Sequence, residues 1–147
     1  MKRTELFGTD GIRCRAGVAP LDPRTVFAIG QSLVRLLGVG AKVVVGRDTR
    51  ESGGWIEGAL AAGIEDAGGR LLTLGVITTP GVAFVTRESG AHAGVVISAS
   101  HNPYYDNGIK VFSPSGRKLS EEMEGQLAVL LSESESSGQG SSSDKLD

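Results

Sequence analysis

Apolar positions fall into short runs that switch between helical and strand periodicity. Val26, Ile29, Leu33, Leu36 and Leu37 recur at three- and four-residue spacing and line one face of a helix. Asp22-Pro23 precedes them, a capping carboxylate followed by proline at the first helical position, and Gly38 closes the run. Residues 42–46 (KVVVG) are β-branched and bounded by charge and glycine, the mark of a buried strand. Trp55, Ile56, Leu60, Ile64 and Ala67 form a second helical stripe that ends at Gly68-Gly69. Residues 71–74 predict a second strand, 80–88 a short helix, 93–98 (AGVVIS) a third strand and 109–112 a fourth. Ser113-Pro114-Ser115-Gly116 is a turn. Ser120 with Glu121, Glu122 and Glu124 opens a last helix that ends near Leu131.

Strands that alternate with helices imply βαβ units. The expected fold is therefore α/β, a three-layer sandwich with a mixed, largely parallel sheet. The connection 98–108 is too short for a crossover helix, so it can reverse the chain and make the sheet mixed. Ligands of such sheets bind beyond the carboxyl ends of the strands. That directs attention to loops 47–53, 76–80 and 98–108.

The last sixteen residues, 132–147, break the pattern: seven are serine, two are glycine, and Leu146 is the only aliphatic side chain. Such a segment buries too little apolar surface to offset its ordering entropy. The folded domain is expected over 1–131, and 132–147 is expected to be a disordered Ser/Gly-rich tail, linker or appended segment.

Composition narrows the function. The chain has 147 residues, one domain's worth, and 15 basic against 17 acidic side chains give a net charge of −2. That balance argues against a nucleic-acid surface, which needs clustered basic residues. No apolar stretch reaches the roughly 20 residues that span a bilayer. Basic residues at the N-terminus have no apolar segment behind them, so no secretory signal is read there. Cys14 is the only cysteine, which excludes an intramolecular disulfide and a cysteine-based zinc cluster. A cytoplasmic, reducing address is the expectation.

Three polar loops carry candidate chemistry. In Phe7-Gly8-Thr9-Asp10-Gly11-Ile12-Arg13, glycines flank a hydroxyl, a carboxylate and a guanidinium able to grip phosphate. The plainer reading is an N-terminal turn with Arg13 on the surface. In Gly46-Arg47-Asp48-Thr49-Arg50-Glu51-Ser52-Gly53 the charges alternate, and a structural ion-pair loop is favoured over ligand contact. In Ser98-Ala99-Ser100-His101-Asn102-Pro103, continuing to Asn107-Gly108-Ile109-Lys110, a serine follows an aliphatic strand with an imidazole and an amide beside it. Such a serine can be a nucleophile or a phosphoryl acceptor. Lys110 on the next strand can return beside Ser100 to stabilise charge or move a proton. The competing reading is a Ser/Asn-rich turn with Asn107-Gly108 as a hairpin corner. No G-x-S-x-G elbow, Walker A loop or G-x-G-x-x-G occurs, and His92 and His101 lack metal-ligand spacing.

Taken together, FGTDGIR, VVVGRDTRESG and GVVISASHNPYYDNGIKVF resemble the first domain of the α-D-phosphohexomutase superfamily. The match is closest to its bacterial phosphoglucosamine mutases and covers about residues 4–131. The resemblance implies that Ser100 is phosphorylated in the active enzyme. It would hand its phosphoryl group to a sugar phosphate through a sugar 1,6-bisphosphate. The net reaction would interconvert glucosamine 6-phosphate and glucosamine 1-phosphate, feeding cell-wall precursors. By the same carry-over Ser100, His101, Lys110 and Arg13 are catalytic, and Thr9 and Asn102 bind substrate or phosphate. A phosphate oxygen on Ser100 would be one ligand of Mg²⁺, which prefers oxygen.

The family's further domains supply the metal-binding aspartates, the sugar-recognition loop and a phosphate-binding loop, none of which this chain contains. The isolated chain is therefore expected to be inactive. A homodimer through the N-terminal domain is also implied. Alternatives are a phosphomannomutase or phosphoglucomutase domain, or a non-catalytic remnant that self-associates. The family usually has glycine where Cys14 stands. If that position needs positive φ, cysteine would strain the Arg13 loop by about 1 kcal/mol or more.

Overall fold

The computed structural model describes residues 6–8 and 11–146, with the side chains of 6–8 and 11–135. Among the described residues nine elements follow in the order β1 (Ile12–Arg15), α1 (Pro23–Leu37), β2 (Lys42–Arg47), α2 (Gly53–Asp66), β3 (Arg70–Val76), α3 (Thr79–Glu88), β4 (Ala93–Ile97), β5 (Asp106–Phe112) and α4 (Glu121–Leu146). Asp22 caps α1 by accepting the Thr25 amide at 3.2 Å, and Gly38 ends it at φ 109, where a side chain would be strained.

The strands form one sheet in the order β1-β5-β4-β2-β3. β2 pairs in parallel with β3 and β4, and β5 pairs antiparallel with β4 and β1. Four strands thus point one way and β5 alone points back, so the sheet is mixed as expected. The β2–β3 connection steps outward and the β3–β4 connection steps back across β2. Right-handed crossovers in opposite senses put α2 and α3 on opposite faces.

Two apolar clusters result. The larger joins α1, α2 and α4 to one sheet face through Val26, Ile29, Leu33, Ile56, Leu60, Ile64, Val43, Val95, Ile109 and Leu127. The smaller joins Val82 of α3 to Val96 and Phe112 on the other face. The two clusters make three layers. All five residues of β4 are buried, which suits a central strand covered on both faces.

Three details depart from the sequence reading. The segment 12–15 is a strand, not part of a surface turn: Ile12 pairs with Ile109 and Cys14 with Asn107. One core side chain, Ile12, and a partly buried Cys14 between arginines give too short a pattern to read alone. Asn107-Gly108 is no hairpin corner but lies inside β5, with Asn107 fully buried. Cys14 takes no positive φ; among the described non-glycine residues only Ser100 does. The strain expected at Cys14 is therefore absent, because a regular edge strand accepts any L side chain there.

The helical backbone of α4 also runs through 132–146, where the sequence reading ends the helix near Leu131 and expects a disordered tail. Leu131 is the last buried residue among the described side chains. The apolar stripe marks how far the helix is packed. Helix elongation adds one backbone bond per residue and needs no stripe.

Candidate active site

The carboxyl ends of β2 and β4 and the start of β5 meet at one edge of the sheet. Two glycines let the backbones close up beneath it. A Cβ at Gly108 would lie 2.5 Å from the Ile12 carbonyl and 2.7 Å from that of Ser98. Gly11, at φ 84, has no room for a Cβ against the Ile109 carbonyl. Gly8 and Gly11 exchange backbone hydrogen bonds of 3.0 and 3.1 Å, which closes the turn that leads into β1.

Residues 98–105 form the crest of this edge. The Ser98 amide donates to the Gly108 carbonyl (3.0 Å), and the Ser98 hydroxyl donates to Asp48 Oδ2 (2.7 Å). The same hydroxyl oxygen accepts the Ser100 amide at 3.1 Å. Asn102 donates from its amide nitrogen to the Ala99 carbonyl (3.0 Å) and from its side chain to Asp106 Oδ2 (3.1 Å). Ser100 itself is exposed and sits at φ 54. A left-handed serine costs of order 1–3 kcal/mol and persists only where its surroundings over-determine it.

The loop after β2 supplies much of that determination. Arg50 Nη1 donates to the carbonyls of Pro103 (2.6 Å) and Asp106 (3.1 Å). Its Nη2 donates to those of Ser100 (2.9 Å) and Asn102 (2.9 Å). Its Nε donates to Asp48 Oδ2 at 3.3 Å. Of the ion-pair loop expected here, Arg50 and Asp48 do pair, but Arg47 pairs with Glu57 on α2 (3.4 Å), and Arg50's main partners lie on the serine loop. Asn107 ties a third point: its side-chain amide donates to Ser52 Oγ (2.8 Å) and its oxygen accepts the Gly108 amide (2.9 Å).

Beside the crest lies an open cavity of about 810 Å³, lined among others by Asp48, Arg50, Trp55, Ser100, Asn102 and Tyr105. That is room for a sugar phosphate. Tyr104 and Tyr105 meet edge-to-face at 5.4 Å, and the Arg15 guanidinium stands 4.8 Å over the Tyr105 ring.

The expected site residues divide. Ser100 and Asn102 line the cavity, and exposed His101 lies between them in the chain. Arg13 pairs across to Gly108, level with the base of the serine loop, and Lys110 pairs with Val96 one step further down. These two side chains share the sheet face of Val96, and neither lines the cavity. Lys110 Nζ lies 5.4 Å over the Phe112 ring. Thr9 lies outside the described residues. Sequence reasoning missed Arg50, Ser98 and Asn107. The one available signal for Arg50 was its place just past the carboxyl end of a buried strand.

No group of three or more His, Cys, Asp or Glu side chains among the described residues could hold a metal ion. Ser100, as a phosphoserine, would offer one oxygen. The described residues do not make a Mg²⁺ site by themselves. No helix of the described residues is long and apolar enough to cross a membrane.

Comparison with known proteins fits this arrangement. The family described as phosphoglucomutase/phosphomannomutase, alpha/beta/alpha domain I, matches residues 4–137, so the chain belongs to that family. Within it, the chain is similar to phosphoglucosamine mutases. It is 53% identical to that of Koribacter versatilis over 146 residues, covering 92% of this chain and 32% of the relative. It is 49% identical to that of Deinococcus radiodurans, covering 90% and 31%. Among solved structures, a putative phosphomannomutase from Thermus thermophilus superposes with a TM-score of 0.77 at 29% identity, covering 85% of this chain and 29% of that one. The chain thus spans about a third of the length of the curated relatives it matches.

Proposed function

We propose that this chain is the phosphoserine-bearing domain of a phosphoglucosamine mutase. The observation that carries the reading is Ser100, exposed beside the cavity in a left-handed conformation and hydrogen-bonded by Arg50 and Ser98. In the proposed reaction a sugar hydroxyl oxygen attacks the phosphorus on Ser100. A new P–O bond forms to the sugar and the P–Oγ bond of the serine breaks. The hydroxyl proton leaves to a nearby base and the seryl oxygen takes up a proton. The intermediate is a sugar 1,6-bisphosphate, which turns round and returns its other phosphoryl group to Ser100. The net conversion is glucosamine 6-phosphate to glucosamine 1-phosphate.

Phosphoryl transfer depends mostly on positioning and charge neutralisation. His101, beside Ser100, is the candidate for proton transfer. Arg13, level with the base of the serine loop, and Lys110 are the candidate cations, and Thr9 and Asn102 the phosphate contacts. Sugar selection, the remaining Mg²⁺ ligands and turnover belong to the rest of a longer protein, so the isolated chain is proposed to have no mutase turnover. The exposed apolar side chains Leu72, Val76 and Phe84 offer a surface for the proposed homodimer, which sedimentation would test.

The deciding experiment incubates this chain and its Ser100→Ala variant with a hexose 1,6-bisphosphate and reads intact mass. A gain of one phosphoryl group, lost in Ser100→Ala, is expected. Turnover of glucosamine 6-phosphate is expected only when the family's other domains are added as a separate fragment. No phosphoryl gain and no reconstituted turnover would overturn the reading. Turnover of mannose or glucose phosphates instead would move the chain to a phosphomannomutase or phosphoglucomutase.

A further inference from the structure

A guanidinium carries five N–H donors in a rigid fork and no acceptor. In Arg50 every one is spent: Nε on Asp48 Oδ2, two on the carbonyls of Pro103 and Asp106, and two on those of Ser100 and Asn102. No donor is left for a phosphate oxygen unless the loop is released. Four of the five acceptors are main-chain oxygens within 100–106, so Arg50 fixes the path of the backbone whatever side chains the loop carries. The Arg50 side chain is only 11% exposed, so the guanidinium itself is largely withdrawn from water.

We propose that Arg50 is a positioning residue that holds the Ser100 loop in its left-handed geometry, and not a phosphate-gripping arginine of the site. The Ser100 carbonyl is itself one of its acceptors, so the clamp acts on the residue that bears the strain. This rests on the proposed function for its consequence, because only a serine that accepts a phosphoryl group needs such placement. A lysine keeps the charge but offers three donors on a freely turning point. It cannot span four carbonyls and a carboxylate. Arg50→Lys therefore separates geometry from charge.

The test compares the 147-residue wild-type chain with Arg50→Lys and Arg50→Gln. Backbone ¹⁵N order parameters are measured over 99–106 and in the central strands, alongside phosphoryl uptake at Ser100 from a hexose 1,6-bisphosphate. In both variants the loop order parameters are expected to fall from about 0.85 to below about 0.6 while the strands stay rigid. Uptake is expected to fall roughly a hundredfold, the usual effect of a small misplacement of reacting groups. Wild-type order and rate in Arg50→Lys would overturn the proposal, since charge alone would then suffice. A loosened loop with unchanged uptake would overturn it as well. If the wild-type chain takes up no phosphoryl group, the functional reading falls only where reconstituted turnover is absent too. The relaxation data then decide the clamp alone: loop order retained without Arg50 overturns it, and loop order lost supports it.

Discussion

The Ser98 hydroxyl donates to Asp48 Oδ2 at 2.7 Å, and that same carboxylate oxygen also accepts Arg50 Nε. One carboxylate thus links the strand end that leads into the serine loop to the arginine that spans it. Ser98→Ala removes this bond and leaves the Ser100 amide without its side-chain acceptor. Such a bond is worth about 1 kcal/mol. Phosphoryl uptake at Ser100 is expected to slow about tenfold, with the melting temperature lowered by only a few degrees. Uptake at the wild-type rate would show that the bond does not set the loop.

Cys14 packs against the main core from an edge strand with ordinary backbone angles. Cys14→Gly should therefore weaken the protein and relieve no strain. Glycine inside a strand costs about 0.5–1 kcal/mol in backbone freedom, and the lost side-chain contacts add to that. A lowered urea midpoint is expected; a raised one would mean that cysteine strains the Arg13 segment after all.

The Cys14 thiol is held above its ordinary pKa, mainly by burial, against the pull of the Leu21 backbone and with Asp106 and Asp22 adding to the rise. It should be a poor nucleophile at neutral pH. Alkylation is expected to be slower than that of a free thiol at pH 7 and to accelerate in urea. Alkylation as fast as a free thiol in the folded chain would contradict the burial.

Helices α1 and α2 cross where both lack side chains. A Cβ on Gly63 would run into the Phe27 carbonyl, and one on Gly30 into that of Leu60. Both obstacles are backbone, so neither can swing aside. Gly63→Ala is expected to destabilise by about 2–3 kcal/mol through overpacking. Thermal melting checks this, and Gly54→Ala, where a Cβ meets nothing within 4 Å, serves as the control.

Burial raises the Glu124 carboxyl pKa against the pull of Lys118, whose Nζ lies 3.9 Å away, with Glu121 adding to the rise. The native state then holds this proton more tightly than the unfolded chain does. That contribution is present at acid pH and is lost as pH rises through the native value. The pair with Lys118, exposed at its lysine end and 3.9 Å long, offsets little of this. Glu124→Gln is expected to be slightly more stable than wild type at pH 7, with the difference shrinking towards about pH 4, the ordinary range of a glutamate. A difference that grows on acidification would reverse the sign.

Much was legible in the sequence because it is written in local chemistry. The Asp22-Pro23 cap, the Gly38 stop, the aliphatic run of β4, the stripe of α1 and the Ile56, Leu60 and Ile64 stripe of α2 each report on their own neighbours and formed as expected, while Trp55 of the α2 pattern is exposed. Ser100 and Asn102 were equally visible as a polar loop after a buried strand. What the sequence could not show depends on residues far apart in the chain. β1 exists because Ile12 finds Ile109, and Asn107 is buried in a strand because Ser52 and Gly108 satisfy its amide. Arg50 reads as one charge in an alternating loop until the fold brings the carbonyls of Ser100, Asn102, Pro103 and Asp106 around it. Periodicity and capping act over a few residues and survive in sequence. Backbone acceptors carry no side-chain signature, so only the tertiary structure decides which cation they gather.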